Sequence, residues 1–287
     1  MDWINAIVQG ALLGGLYALF AAGLSLMFGV MRFVNLAHGD FIVLAAFGAL
    51  ALVETTGFFP FWTLIALVPM FALGGYLLQR SVFNRITGQD LLPAILVTFG
   101  LSVILQNVML EAFSADSRRI PAGALDTAAL ALPGGIGVGI VSLLMFLAAV
   151  VSLGSLDLFM SHTRSGRLLR ATSDDQEIVG LMGANRAHLF ALATAIAGAL
   201  IALAGVLMAV KTNFDASAGP VRLLFAFEAV IIGGLGSLWG TLLGGILLGV
   251  AQAVGAQIDP GFQILAGHLV FLLVLALRPE GLMPRKA

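Results

Sequence analysis

The sequence contains no cysteine, which excludes disulfides, covalent haem attachment and thiolate metal sites at once. Charge is also scarce: 10% of the 287 residues are Asp, Glu, Lys or Arg, against about 25% in an ordinary soluble domain. Lysine occurs twice, at Lys211 and Lys286, and neither follows a glycine. A P-loop needs Gly-Lys followed by Ser or Thr, so that backbone amides and one ammonium hold the nucleotide phosphates. This chain therefore cannot bind ATP in that way. G-x-S-x-G and H-E-x-x-H are absent as well, which removes the usual residues of serine hydrolases and zinc proteases.

What remains is apolar. Hydrophobic residues make up 60% of the chain and the mean hydropathy is +1.06, the composition of an integral membrane protein. Crossing a hydrocarbon core takes about 20 apolar residues at 1.5 Å rise, and such runs recur along nearly the whole length. The pattern predicts segments near residues 5–30, 39–54, 60–79, 92–113, 136–160, 187–210, 224–236, 240–257 and 262–277. They leave no room for a soluble domain, so residues 1–287 are expected to form one all-α transmembrane bundle of eight or nine segments. The seventh is short enough to be re-entrant. The start, MDWINAIVQG, has no basic n-region, so the first run is expected to stay as a helix. Basic residues collect in short cytoplasmic loops. Placing residues 161–186 inside puts ten of the 14 there and leaves Arg118, Arg119, Lys211 and Arg222 outside. That bias predicts an external N-terminus and, with nine crossings, a cytoplasmic C-terminus.

Glycine accounts for 35 residues and recurs four apart: Gly10 and Gly14, then Gly236, Gly240 and Gly244 with Gly245 and Gly249. Ala191, Ala195 and Ala199 repeat the spacing. Small residues on one helix face let backbones approach closely where lipid removes the hydrophobic incentive to associate, so a tightly packed bundle follows.

The longest hydrophilic stretch, Ser161 to His188, interleaves Leu168, Leu169, Ile178, Val179, Leu181 and Met182 with charges. It reads as two short helices at the membrane surface. Ser173 or Asp174 would cap the second, and Gly183 with Asn185 would suit its end. Such a loop presents an amphipathic knob to another protein.

RLLRATSDDQEIVGLMGANRAHLFALA resembles the cytoplasmic coupling loop of importer-type ABC permeases, with Gly183 at the fixed glycine of that motif; Val179 and Gly180 stand where alanine is more usual. GLYALFAAGLSLMFGVMRFVNLAHGDF, LVTFGLSVILQN and AVIIGGLGSLWGTLLGG are similar to successive signatures of the H-type permease of branched-chain amino acid ABC importers, as is the LRPEGL tail. The resemblance implies the ABC importer permease fold and an inner-membrane subunit that does no bond chemistry. Its implied partners are a second, M-type permease subunit, two ATPase subunits that bind the ATP, a periplasmic substrate-binding protein and the lipid bilayer, with no nucleic acid. No cofactor or metal is implied in this chain. Coupling to the ATPases would fall on Arg170, Ala171, Asp174, Asp175 and Gly183. The implied substrates are leucine, isoleucine and valine or similar small amino acids, while similar permeases carry urea, short amides or small carboxylates.

One polar stretch interrupts the apolar pattern, RFVNLAHGDFIVL, with Asn35, His38 and Asp40 between two spans. A charged side chain at mid-bilayer costs about 2.5–3.5 kcal/mol on translocon scales, so these groups need a cavity, a partner or water. One reading makes 31–40 unwound backbone inside the bundle, with Asn35, His38, Gly39 and Asp40 lining the substrate route and Asp40 capping a short second helix. The other makes it a plain cytoplasmic turn with His38 at the interface. Gln106, Asn107 and Glu111 fall late in the fourth segment and suit either interhelical hydrogen bonds or the same route, to which Gln106 and Asn107 are assigned. Glu228 interrupts an apolar run where the family pattern predicts a small or apolar residue. His268 stands alone on an apolar helix as a packing histidine, although Ser25 and His268 could in principle form a nucleophilic dyad. Asp40 and Glu228 also suit an ion-coupled carrier.

Overall fold

The computed structural model describes residues 2–86, 91–132, 136–181 and 183–284; Met182, Arg285 and Lys286, used in the sequence analysis, lie outside them. Helix α1 (Asp2–Met31) is apolar on every face, and residues 14–27 are buried without a break, as expected of a central helix. It is followed by α2 (His38–Thr56), α3 (Leu64–Ser81) and α4 (Leu91–Phe113). A short helix α5 (Ala124–Thr127) leads to the antiparallel hairpin of β1 (Ala129–Leu132) and β2 (Ile136–Gly139), followed by α6 (Ile140–His162). Two short helices, α7 (Arg164–Asp174) and α8 (Gln176–Leu181), precede α9 (Arg186–Lys211). The chain ends with α10 (Gly219–Gly233), α11 (Leu238–Ile258) and α12 (Phe262–Leu277).

Among the described residues, nine apolar helices thus fall where nine segments were expected. Seven are long and apolar enough to cross a membrane; α10 and α12, with 15 and 16 residues, are shorter. The fifth segment begins at Ile140 rather than 136, because Gly137 and Gly139, poor helix formers, pair in the hairpin instead. The unwound link after α1 covers residues 32–37 rather than 31–40, since α2 already starts at His38.

The bundle contains an inverted internal repeat. In the first unit a long helix, α1, is followed by a non-helical link (32–37) and by α2, α3 and α4. In the second, α9 is followed by the link 212–218 and by α10, α11 and α12. Helix α1 packs on α11, Gly10 and Gly14 lying against the backbone at Gly249 and Gly245. Correspondingly α9 packs on α3, where the backbone at Thr194 faces Gly75 and Gly198 faces Phe71. Both pairs run antiparallel and let main chains touch, which is how small residues hold helices together in lipid. Gly198 and Ala195 lie at this α9 contact, and Ala191 on the same helix is fully buried. Gly236 lies in the α10–α11 turn with φ +78° rather than on α11.

The two links are built alike. Asn35 Oδ1 accepts from the Ala37 amide at 3.0 Å and the His38 amide donates to the Asn35 carbonyl at 3.1 Å. Asp215 Oδ1 accepts from the Ser217 amide at 2.8 Å and the Ala218 amide donates to the Asp215 carbonyl at 3.2 Å. Each is an Asx turn that launches a helix, and four residues after the Asx stands Gly39 or Gly219.

Both launched helices start inside the bundle. The His38 ring lies 2.8 Å from the Phe20 carbonyl, about 16 Å before α1 ends at 1.5 Å per residue. Gly39 packs directly on the Gly219 carbonyl, and Gly219 on the Asp40 carboxylate, so the N-termini of α2 and α10 meet. One end of the molecule gathers Gly29 beside Gly236, the Ser173 hydroxyl donating to the Gly29 carbonyl, and the tail amides of Leu282 and Met283 donating to the carbonyls of Ile232 and Gly233 at 2.9 Å each. The opposite end holds Arg118, whose amide donates to the Phe214 carbonyl at 2.8 Å, and Arg119, whose Nε donates to the Val210 carbonyl at 3.0 Å. Arg222, expected in a loop, sits in the first turn of α10.

Candidate functional site

The four polar-stretch residues converge where the half-helices meet. Asn35, His38 and Asp40 are at most 3% exposed, which excludes a solvated turn with His38 at an interface. Asn35 holds the turn. His38 ties the start of α2 to α1 at Phe20. Gly39 is a glycine because a Cβ there would fall on the Gly219 carbonyl.

Asp40 does not cap α2 with its side chain, as was expected; the helix starts after Ala37 with no side-chain cap. Its Oδ2 instead accepts from the Ser102 hydroxyl of α4 at 2.5 Å, and Gln106 Nε2 donates to that hydroxyl at 3.1 Å. The carboxylate lies in the first turn of its own helix and against the first residue of α10, so two helix dipoles favour its negative charge. Ser102 went unnoticed in the sequence although it lies in LVTFGLSVILQN. A serine among leucines carries no signal until the partner helix supplies an acid.

Gln106 therefore joins the site and Asn107 does not join it directly: its Nδ2 donates at 2.8 Å to the Val103 carbonyl of its own helix, and it stays exposed. Both border an open cleft of about 230 Å³ with Leu110, Ala115, Asp215, Ala216 and Ser217. Below the junction lies an apolar cavity of about 340 Å³ between α1, α2, α3, α4 and α9, walled by residues such as Met27, Phe41, Leu44, Phe71, Leu101 and Ile201, with Asn35 and Thr194 as polar points.

A second buried acid sits in the other unit. Glu228, 1% exposed, meets the ring of His268, so α10 is tied to α12 as Asp40 ties α2 to α4. The isolated packing histidine has an acid for a partner, one that neither local sequence revealed. Nearby, the Tyr17 hydroxyl donates to Gln252 Oε1 at 2.6 Å. Ser25 lies 3.0 Å from the Thr241 hydroxyl, so Ser25 and His268 are each engaged elsewhere and no dyad forms.

At the end that holds Gly29 and Ser173, α7 and α8 are the two short helices expected between 161 and 186. Thr163 caps α7 by accepting from the Gly166 amide at 2.9 Å. Ser173 and Asp174 lie in the last turn of α7, and Asp175 separates it from α8. Asn185 caps α9, accepting from His188 at 3.1 Å, rather than ending α8. The end of α8 is made by Gly183 at φ +81° with the Ala184 amide returning to the Val179 carbonyl at 3.3 Å, a glycine helix stop. Arg170 lies 3.5 Å from Asp157 of α6, Ala171 is half-buried against the core, and Asp174, Asp175 and Gly183 are exposed.

A bundle of broken helices that meet inside the membrane, built from inverted units, is the architecture of a membrane transport protein. The family model described as branched-chain amino acid transport system / permease component matches residues 6–277, and the chain belongs to that family. It is 30% identical to the high-affinity branched-chain amino acid transport system permease protein BraD of Pseudomonas aeruginosa, over 99% of this chain and 96% of that one. It is 25% identical to LivH of Escherichia coli, over 99% and 96%, and 26% identical to LivM of the same organism, over 96% of this chain and 70% of that one. No solved structure matches.

Proposed function

We propose that this multi-pass membrane protein is one of two permease subunits of an ATP-driven importer that moves branched-chain or similar small amino acids across the bacterial inner membrane. The second permease is of the LivM type, two ATPase subunits bind the ATP, and a periplasmic binding protein delivers the substrate. The BraD and LivH relatives, permeases of high-affinity branched-chain amino acid transport systems, support the substrate class.

The observation that carries the coupling is the seat of α7. Leu169 is fully buried, Thr172 is buried, and Ser173 bonds the Gly29 carbonyl near the end of α1. The opposite face leaves Arg164, Arg167, Arg170, Asp174 and Asp175 exposed, and Leu181 beyond them is 87% exposed. An ATPase that grips this outer face moves α7, and α7 moves the end of α1. From there the chain passes within six residues, 32–37, to the start of α2 and the Asp40 junction. Closure of the two ATPases would thereby shift α2 and α10 relative to each other and change which side the pathway opens to. The pathway residues in this reading are Asn35, His38, Gly39, Asp40 and Gln106, with Asn107 at its outer cleft.

The test is leucine uptake into vesicles holding the full reconstituted complex. Uptake is expected to require ATP inside the vesicle and loaded binding protein outside. Uptake driven by a proton gradient alone, without ATP, overturns the reading in favour of an ion-coupled carrier.

A further inference from the structure

The repeat supplies a comparison within one chain. The same turn launches α2 with Asn35 and α10 with Asp215. An amide oxygen is therefore enough to build it, and the negative charge at 215 is not needed for the turn. Asn35 is 3% exposed, whereas Asp215 borders the open cleft with Gln106, Asn107 and Ser217. Its Oδ1 is occupied by the Ser217 amide and hydroxyl, at 2.8 and 2.5 Å. Arg222 interacts electrostatically with Asp215, but its Nη2 donates to the Asn213 carbonyl at 3.2 Å; no ion pair joins it to Asp215 among the described residues.

The cleft is also wired inward. Gln106 Nε2 donates to Ser102, and Ser102 donates to Asp40, whose Oδ1 has no hydrogen-bond partner among the described residues although Asp40 is fully buried. A cleft with one carboxylate at its rim, two amide side chains and a hydroxyl, backed by a second carboxylate, offers acceptors and negative potential to a small cation. At about 230 Å³ it is small beside a drug-sized pocket, roughly 300 Å³ and up, and suits the head of a solute rather than the whole of a large one.

We propose that this cleft binds the α-ammonium group of the amino-acid substrate, with Asp215 as the counter-charge and the Gln106 and Asn107 amide oxygens as hydrogen-bond acceptors. This rests on the importer reading and narrows it. A carrier of urea, amides or carboxylates has no use for the charge at 215.

The absence of cysteine makes the test direct. A115C places one thiol on the cleft wall without touching a polar group. In the purified complex lacking the binding protein, its labelling by a maleimide should slow about tenfold when leucine stands at about ten times its dissociation constant. The deaminated analogue 4-methylpentanoate should give no protection. Adding D215N should abolish protection by leucine while leaving the thermal unfolding midpoint in place, since Asn builds the same turn at position 35. Equal protection by 4-methylpentanoate, leucine protection that survives D215N, or no leucine protection in A115C overturns the proposal. Vesicle uptake by the unsubstituted complex tests the importer reading separately, so the two failures are told apart.

Discussion

Gly39 and Gly219 touch through their main chains, at the point where two helices that run in opposite directions both begin. A Cβ on Gly39 would land on the Gly219 carbonyl, and one on Gly219 would land on the Asp40 carboxylate. Both neighbours are fixed, one by the backbone and one by Ser102. Gly39→Ala should therefore cost about 1–3 kcal/mol, the size typical of overpacking, read as a lower thermal midpoint of the purified complex. Gly74→Ala is the control. It has open space around its Cα and lies inside α3, where alanine is favoured by up to about 1 kcal/mol. Its midpoint should hold or rise.

Ser102 is the hydroxyl that joins α4 to the buried acid. Ser102→Ala leaves Asp40 Oδ2 without that donor, at a cost of about 1–3 kcal/mol, while Ser102→Thr keeps the hydroxyl and should lose less. Asn107→Ala, which removes an exposed amide bonded within its own helix, should stay within about 0.5 kcal/mol. Chemical unfolding in detergent ranks the three; a loss in Asn107→Ala equal to that in Ser102→Ala would refute the site geometry.

Glu228 and His268 join α10 to α12 across the second unit. Removing His268 leaves the buried Glu228 carboxyl without that hydrogen bond, so His268→Leu should destabilise by about 1–3 kcal/mol. The double replacement E228L/H268L should recover much of that loss, giving a clear coupling term in a double-mutant cycle. Additive losses would show that the two side chains act independently.

Gly183 holds a left-handed conformation with open space around it. Replacement by leucine meets no neighbour and carries only the backbone penalty of about 1–2 kcal/mol, which reshapes the end of α8. Gly183→Leu should leave the subunit inserted while ATP hydrolysis and leucine uptake come apart. Gly183→Asn should be milder because Asn tolerates that conformation. Normal uptake and normal ATPase docking in Gly183→Leu would rule out the coupling role.

The helices were legible in the sequence because apolar run length is a one-dimensional signal; each expected segment overlaps one helix. Boundaries went astray where glycine or hydrogen bonds decided them, as at Gly137 and Gly139 in the hairpin and at Asp175 between α7 and α8. The site was half legible. Asn35, His38, Gly39 and Asp40 stood out as polar residues in an apolar setting, but Ser102 acquires meaning only from Asp40, 62 positions away, and Asp215 only from Asn107 and Gln106 across the cleft, 108 and 109 positions away. The inverted repeat left little trace in the residues, chiefly an Asx followed four residues later by glycine, in NLAHG and DASAG. Backbone shape conserved the symmetry while the side chains diverged to serve different neighbours.

The tail residues Leu282 and Met283 form a short main-chain splint beneath α10, accepting the role that another helical turn would fill for the carbonyls of Ile232 and Gly233. Shortening the chain before Leu282 would bare those oxygens at the foot of the broken helix. A purification tag or reporter fusion should accordingly be attached after Pro284, beyond the splint, with the strand up to Met283 left whole.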